Sequence, residues 1–563
     1  MALRDHDHWP ARVSAPLARL GPLPTIGQGP GDVMIKRGLL SLGLGLAFAT
    51  GAQAAEQVDL DMVGKIRQEA FHRSQVMDTF SHLTETIGPR LTNSPAMAQA
   101  NAWTRQKFTE WGLADVHDEA FEDFGRGWEF DSASVEMLEP RVTQLYALPK
   151  AWTPGTHGTV EGEVVKVDIK KLADLEKYKG QLRGKILLLG DARDYKRGTE
   201  ADSHRHDATS LEDLQQFAIP KDTSKERAKR LKEFGERQEL VRATNTFFVE
   251  EGALAAISIS GWDNGIIRVG GGGSRKAGEP VGIPELAMIA EHYNQLARAL
   301  ERKQPVKLRV NVDARFTDEA DQPGHNTVAE IRGSSKADEI VMLGAHMDSW
   351  HTGTGAADNA AGVAVMMEAM RILKAVGAKP KRTIRVALWS GEEQGLIGSQ
   401  AYVSRHFAHY PEPTDPAQKA LPSFLREPTG PLQKRRDYEK FSVYFNMDNG
   451  SGRFRGIYAQ ENMAAMPIFE AWLKPFNDVG ATTVASRNTG STDHISFDRV
   501  GLPGFQFIQD RLDYFSNVHH SNLDTWDHAE PEDLKQAAAI VASFVYNAAM
   551  REEKMPRKPL LEN

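Results

Sequence analysis

The chain of 563 residues contains no cysteine. That absence excludes disulfides, thiolate metal sites and cysteine nucleophiles, so any bound metal must be held by nitrogen and oxygen. An excess of one charge is lacking too: 68 basic against 76 acidic residues leave a formal net charge of −8, mild for this length. Such a balance gives no reason to expect nucleic acid as a partner. Mean hydropathy is −0.45, which argues against a polytopic membrane protein. The 40% of hydrophobic residues still suffices for one large or two medium domains.

One apolar run does stand out. Gly38 to Thr50 follows Met34-Ile35-Lys36-Arg37 and precedes Ala52-Gln53-Ala54. A basic start, a short apolar stretch and small residues are the three parts of a secretory signal, and the run is too short to span a membrane as a stable helix. The natural start is therefore read at Met34, with a long n-region of the signal as the alternative. Residues 1–33 are then an upstream extension and 34–54 the signal. The mature protein is expected to begin near Ala55, periplasmic or secreted, with no membrane anchor once the signal is cleaved.

The chemistry of the chain is concentrated between Gly344 and Glu393. Glu339 to Ala345 and Thr383 to Trp389 are apolar runs of strand length, so His346/Asp348 and Glu392/Glu393 both sit where strands end. Open α/β sheets place their ligands there. Between the runs, Val363, Met366, Met367, Met370 and Leu373 recur at helical spacing, and Gly377 stops the helix. His346 and Asp348, two apart on an extended chain, point the same way and can reach one ion, and imidazole with carboxylate suits zinc. Asp358, Glu392 and Glu393 add more carboxylates than one pocket holds unpaired, which makes a second cation plausible.

This segment resembles the di-zinc exopeptidase family that includes bacterial leucyl aminopeptidases, glutamate carboxypeptidase and carboxypeptidase Q, and is most similar to the carboxypeptidase Q branch. The family pattern asks for an Asp after a later core strand and a His shortly before Asp-Thr. Phe441 to Asp448 and His519-His520-Ser521-Asn522-Leu523-Asp524-Thr525 supply both. The resemblance implies an α/β fold with a mixed central sheet flanked by helices and two Zn2+ ions per chain. It implies Asp358 as the bridging ligand, with His346, Glu393, Asp448 and His520 completing the set. Asp348 is then expected to orient His346 through its second ring nitrogen.

In the same terms Glu392 is the general base for a water activated by the two ions, and it returns the proton to the leaving amine. His519 stands where some relatives carry a tyrosine near the oxyanion; it is either a hydrogen-bond donor there or a packing histidine. Gly490-Ser491-Thr492-Asp493-His494 resembles a loop lining the family's substrate pocket, where Asp493 either meets a free α-amino group or caps the following turn. The implied reaction is hydrolysis of small peptides, by an aminopeptidase, a carboxypeptidase or a dipeptidase. A homodimer is one assembly open to the chain.

The remaining segments fit around this core. Val58 to Thr86 reads as one helix, ended by Ile87-Gly88-Pro89-Arg90-Leu91, and Ser94-Pro95 opens a second that carries Trp103, Phe108 and Trp111 on one face. From 128 to 323 short strands and polar turns resemble the family's protease-associated insert, which divides the peptidase domain into 55–127 and 324–551 and leaves 552–563 as a tail. Within the insert Ser224 to Arg242 reads as a solvated helix, His204 and His206 as part of a polar loop, and Gly270 to Gly273 as a flexible loop. Pro531 opens a helix with a stripe of Leu534, Ala537, Ala538, Val541, Phe544, Val545 and Ala548. Two other readings share the motifs: a non-catalytic binding scaffold of the same fold, and a single-zinc acyltransferase of the glutaminyl cyclase type, which is expected to lack the insert.

Overall fold

The apolar runs that lead into the candidate residues fold as strands Lys336–His346, Arg382–Trp389 and Phe441–Asn446 in a computed structural model. The structure describes residues 56–195, 198–219, 224–419, 421 and 425–559, so the expected signal and upstream extension lie outside the described residues. The three strands and Gly504–Gln509 run parallel to one another. Being buried on both faces, they need no polar alternation, and for that reason they read as unbroken apolar runs. The sheet has eight strands, in the order Ala114–Gly125, Gln322–Ile331, Arg382–Trp389, Lys336–His346, Phe441–Asn446, Gly504–Gln509, Phe454–Tyr458, Thr483–Ala485. Ala114–Gly125 and Gln322–Ile331 pair antiparallel, making the sheet mixed. Parallel central strands bring their carboxyl ends to one edge, and the candidate residues lie along it.

Helix Ala361–Ala375 covers the sheet with Val363, Met366, Met367, Met370 and Leu373 buried, and ends before Gly377 at φ 69°. Helix Pro531–Met550 carries the expected stripe, yet nearly every residue from Asp533 to Ala549 is buried. It lies against helices Ala361–Ala375 and Leu60–His72 as well as the sheet, so three of its sides are covered.

The single helix expected over Val58 to Thr86 is broken into helices Leu60–His72 and Val76–Ser81 and a wide turn, His82–Ile87. The first break follows from tertiary bonds. Arg371 pairs with Glu69 and Glu368 and donates to the Arg73 carbonyl at 3.1 Å. Glu368 in turn accepts from Ser74 Oγ and the Gln75 amide, both at 3.0 Å. Those bonds replace the helical ones that residues 73–75 give up. Helix Pro95–Glu110 starts as expected, with Ser94 Oγ accepting from the Met97 amide at 3.2 Å and proline in the first turn.

Between Ala114–Gly125 and Gln322–Ile331 the chain forms a second eight-stranded sheet, in the order Thr143–Leu145, Trp128–Glu139, Lys307–Phe316, Val160–Val167, Ile186–Leu189, Ala255–Ile259, Glu285–Met288, Ala147–Pro149. It ends at Phe316, and Gln322 already pairs with Gly125 of the first sheet, a little inside the expected limit of 323. Helix Ser224–Glu251 is solvated, with Phe248 its one buried residue. The glycines 270–273 form a packed crossing instead of a flexible loop. The amides of Gly272 and Gly273 donate to the Ala151 carbonyl, and a Cβ on Gly273 would lie 1.9 Å from the Trp152 carbonyl oxygen. The expected tail also docks: Met555 is buried and Lys558 pairs with Asp498 at 2.7 Å. Among the described residues no helix is long and apolar enough to cross a membrane.

Candidate metal centre

His346 is the last residue of its strand and is buried. Its Nε2 lies 3.3 Å from Asp358 Oδ1 and 3.5 Å from Asp448 Oδ1. A second group stands at the other oxygen of the same carboxylate: His520 Nε2 is 3.3 Å from Asp358 Oδ2 and 2.9 Å from Glu393 Oε2. Asp358 therefore faces two nitrogen–oxygen donor sets, one per oxygen. All five expected ligands meet in one place, brought there by three strand ends, the wide turn Ala356–Ala360 and the loop before Asp524. Donor atoms of His346, Asp358 and Glu393 lie within 4.8 Å of one another, as do those of Asp358, His519 and His520.

Three polar atoms of this cluster lack hydrogen-bond partners. His346 Nε2, Asp358 Oδ2 and Glu393 Oε1 are buried without a hydrogen bond. Unpaired buried polar atoms are costly, and a cation supplies what they miss. The titration of the groups agrees. Burial, with Asp358 beside Glu393 and Asp448 beside Glu392, pushes both glutamate carboxyls well above the usual carboxylate range. Burial works to lower the His346 imidazole, yet Asp448 and Glu392 overcome it and raise the group well above its ordinary value. Burial likewise works to raise Asp448 and Asp358, but the nearby histidines hold both below the ordinary range. The pocket is short of positive charge, and a hard or borderline metal fits a donor set of imidazole and carboxylate.

The surrounding hydrogen bonds place these groups. Asp348 departs from the orienting role expected of its carboxylate: His346 Nδ1 meets the Asp348 backbone carbonyl at 2.9 Å, while the carboxylate Oδ1 is 3.7 Å away. That carboxylate accepts instead from the amides of Glu392 and Glu393, at 3.2 and 3.3 Å, and from Thr92 Oγ1 at 3.0 Å. Asp348 thus ties Glu392 and Glu393 to the strand that carries His346. Asp524 does the same for Asp358, accepting from the amides of Ala357 at 2.6 Å and Asp358 at 3.3 Å.

His519 packs against His520 with ring centroids 3.8 Å apart and the planes tilted by 47°, and its Nε2 is 4.0 Å from Asp358 Oδ2. Burial, the neighbouring His520 and Arg268 hold its imidazole well below the ordinary value, so it is neutral. Asp493 is fully buried, both its oxygens lack hydrogen bonds, and burial pushes it up to about 7. It does not cap the following turn with its side chain. His204 and His206 stay apart from the centre in a polar loop, as expected; His206 Nδ1 meets Ser210 Oγ at 3.2 Å.

Arg90 was not singled out by its spacing. It is fully buried and donates to the carbonyls of Leu83, Gly88, Met347, Thr354 and Gly355 at 2.7–3.1 Å. One guanidinium thus fastens both ends of the loop between His346 and Asp358. Trp350, on that loop, brings its ring 6.0 Å from that of His520.

Residues 326–545 match the model of peptidase family M28. Over 501 residues the chain is 26% identical to carboxypeptidase Q of Mus musculus, covering 89% of this chain and 90% of that one. Among solved structures it resembles a peptidase M28 precursor from Shewanella amazonensis SB2B with a TM-score of 0.61 at 24% identity, covering 89% of this chain and 99% of that one. It also resembles BSAP, a zinc aminopeptidase from Bacillus subtilis, with a TM-score of 0.52 at 19% identity, covering 85% and 96% of the two chains. With these likenesses beside the five assembled donors, the chain is a metallo-exopeptidase similar over residues 326–545 to peptidase family M28.

Proposed function

We propose that this protein is a zinc-dependent exopeptidase of small peptides, acting outside the cytoplasm after removal of residues 34–54. The observation that carries the reading is Asp358, each of whose oxygens faces its own donor set: His346 with Asp448, and His520 with Glu393. Two Zn2+ ions are the occupants this arrangement favours. The likeness to carboxypeptidase Q supports small peptides as substrates, and the inserted sheet, Trp128–Phe316, is read as the protease-associated module.

Bound zinc supplies Lewis acidity, making a water nucleophilic near neutral pH and drawing electron density from the scissile carbonyl. The protein's own groups do the rest. Glu392, held through its amide by Asp348, takes a proton from the attacking water as the new C–O bond forms. It returns that proton to the departing nitrogen as the C–N bond breaks. His519, neutral and beside the bridging carboxylate, donates a hydrogen bond to the oxyanion of the tetrahedral intermediate.

The test is hydrolysis of free, N-blocked and C-blocked di- and tripeptides, with and without zinc, by the mature chain and by Glu392→Gln. Loss of the general base is expected to lower kcat by about 10²–10⁴-fold, with metal content retained. The blocking group that is tolerated identifies the end recognised. Absence of cleavage with two metals bound would overturn the peptidase mechanism and return the scaffold and acyltransferase readings.

A further inference from the structure

A loop of the inserted segment runs along the residues beside the candidate metal centre. Residues 267–269 lie along residues 520–522: the Val269 amide donates to the His520 carbonyl at 3.3 Å, the Asn522 amide to the Ile267 carbonyl at 3.0 Å, and the Ile267 amide to Asn522 Oδ1 at 2.7 Å. Arg268 and Ser521 form an antiparallel bridge there. This contact delivers the Arg268 guanidinium to His519, with Nη2 at 3.0 Å from the ring's Nδ1. The guanidinium also lies over the Trp262 ring, 5.3 Å from its centroid.

The chemistry of that contact is one-directional. A guanidinium is always protonated and can only donate, so His519 Nδ1 must present its lone pair. A neutral imidazole with an accepting Nδ1 carries its proton on Nε2. That N–H faces the bridging carboxylate at 4.0 Å, too far to be used up by it and well placed for a group that enters the space between. The same tautomer has no Nε2 lone pair to give a metal. His520, whose Nε2 stands at 2.9 Å from Glu393, is left as the ligand of the pair.

We propose that Arg268 is a positioning residue that locks His519 as the Nε2–H tautomer, so that His519 is a hydrogen-bond donor to the oxyanion and not a metal ligand. The inference rests on the oxyanion role read for His519 above. It makes the inserted sheet part of the catalytic apparatus, since one strand of contact 251 residues away in sequence decides what His519 can do.

The test compares His519→Ala, Arg268→Met, which keeps the stem and removes the donor, Arg268→Gln, whose amide can still donate, and the double variant Arg268→Met/His519→Ala. Substrate is a dipeptide that the unmodified enzyme cleaves, and zinc content and zinc affinity of the metal-free protein are measured alongside. Loss of one oxyanion donor costs about 10²–10³-fold in kcat, the drop expected for His519→Ala with KM unchanged. Arg268→Met is expected to lose at least tenfold in kcat, at roughly unchanged KM, with the double variant no worse than His519→Ala alone. Arg268→Gln recovers part of the loss, and all four bind zinc alike. Nitrogen-15 histidine spectra of the metal-free protein, assigned by difference against His519→Ala, are expected to show Nε2–H in the unmodified chain and a mixture in Arg268→Met.

Full activity in His519→Ala would remove the oxyanion reading itself. Normal kcat in Arg268→Met beside a damaged His519→Ala would overturn the Arg268 inference alone, as would additive losses, an Nδ1–H tautomer or lost zinc. A raised KM confined to peptides with a free carboxyl end would show that Arg268 binds substrate instead, and would also overturn it. Should Arg268→Met fold poorly, the spectra of the unmodified protein and the kinetics of Arg268→Gln still decide.

Discussion

The two eight-stranded sheets have equal strand number and share a core of parallel strands, yet they treat charge in opposite ways. In the second sheet the charged residues pair on the outside. Arg309 reaches Glu136 and Glu161, and Arg315 reaches Glu129 and Asp131, all at 2.6–2.9 Å and open to solvent. Where its parallel strands end, the backbone is closed off: Tyr293 Oη donates to the carbonyls of Leu189 and Gly190, and Ser260 Oγ to that of Ile266. In the first sheet the corresponding ends carry buried His346 and Asp448 with half-buried Glu392 and Glu393, and His346 Nε2 and Glu393 Oε1 have no hydrogen-bond partner. Parallel topology offers a crevice at the carboxyl ends of both. What separates them is whether the chain satisfies the groups it places there.

The contrast is broken most severely by loosening the supports of the centre. Asp348→Asn puts an amide where an oxygen now accepts from the Glu392 and Glu393 backbones, setting N–H against N–H. Losses at such supporting positions run to about 10–100-fold in metal affinity or activity. Zinc titration and kcat/KM of this variant are expected to fall in that range with the fold intact; unchanged values would mean that the two amides hold their places without Asp348. Next comes Arg90→Met, which strips five backbone carbonyls of their donor in a buried place. A loss of more than about 3 kcal/mol in urea unfolding is expected, since each unsatisfied buried group costs about 1–3 kcal/mol.

Much of the centre was legible because its signals are local. The spacing of His346 to Asp358, the Glu-Glu pair after a strand and the His before Asp-Thr all lie within short stretches, and every expected ligand arrives at the pocket. The parallel strands were legible for a related reason, since burial on both faces leaves an unbroken apolar run. The misreadings share a cause as well. The helix break at residues 73–75 is made by Arg371 and Glu368, some 300 positions away, and no periodicity announces it. The glycines 270–273 looked flexible, although their lack of side chains serves the close approach of Trp152. Arg90 appeared only as part of a helix-ending Gly-Pro-Arg, while its work on the loop after His346 is visible only in three dimensions. Asp348 was read through its carboxylate, because a sequence shows side chains and hides the carbonyl that in fact meets His346.

The seam between the sheets offers a smaller, pH-dependent effect. His351 follows the strand that ends in His346, and its Nε2 meets the Pro149 carbonyl of the second sheet at 2.8 Å, with its ring edge-on to Trp128 and Phe130. Burial lowers its imidazole to about 4. The unfolded chain, with an ordinary histidine near 6.5, therefore binds more protons than the folded one between pH 6.5 and about 4. Stability contributed by neutral His351 is present above that window and lost as pH falls through it. His351→Gln keeps a donor for Pro149 and removes the titration, so its urea midpoint is expected to decline less than the unmodified chain's between pH 7 and pH 5, by about 2 kcal/mol or less in free energy. Parallel declines would mean that the seam opens without charging this ring.

The smallest effect belongs to the outer face of the second sheet. Arg315→Ala removes contacts to Glu129 and Asp131 at 2.6 Å, geometrically the equal of any pair in the centre. Both partners remain in water when the arginine is gone, and exposed pairs pay in side-chain entropy and screening what they gain in attraction. The thermal midpoint of Arg315→Ala is expected to match that of the unmodified chain within error, at low and at moderate salt. A measurable drop would mean that ion pairing on this face helps to hold the sheet, and the division drawn between the two regions would then lie in how much their charges are buried and not in whether they matter to stability.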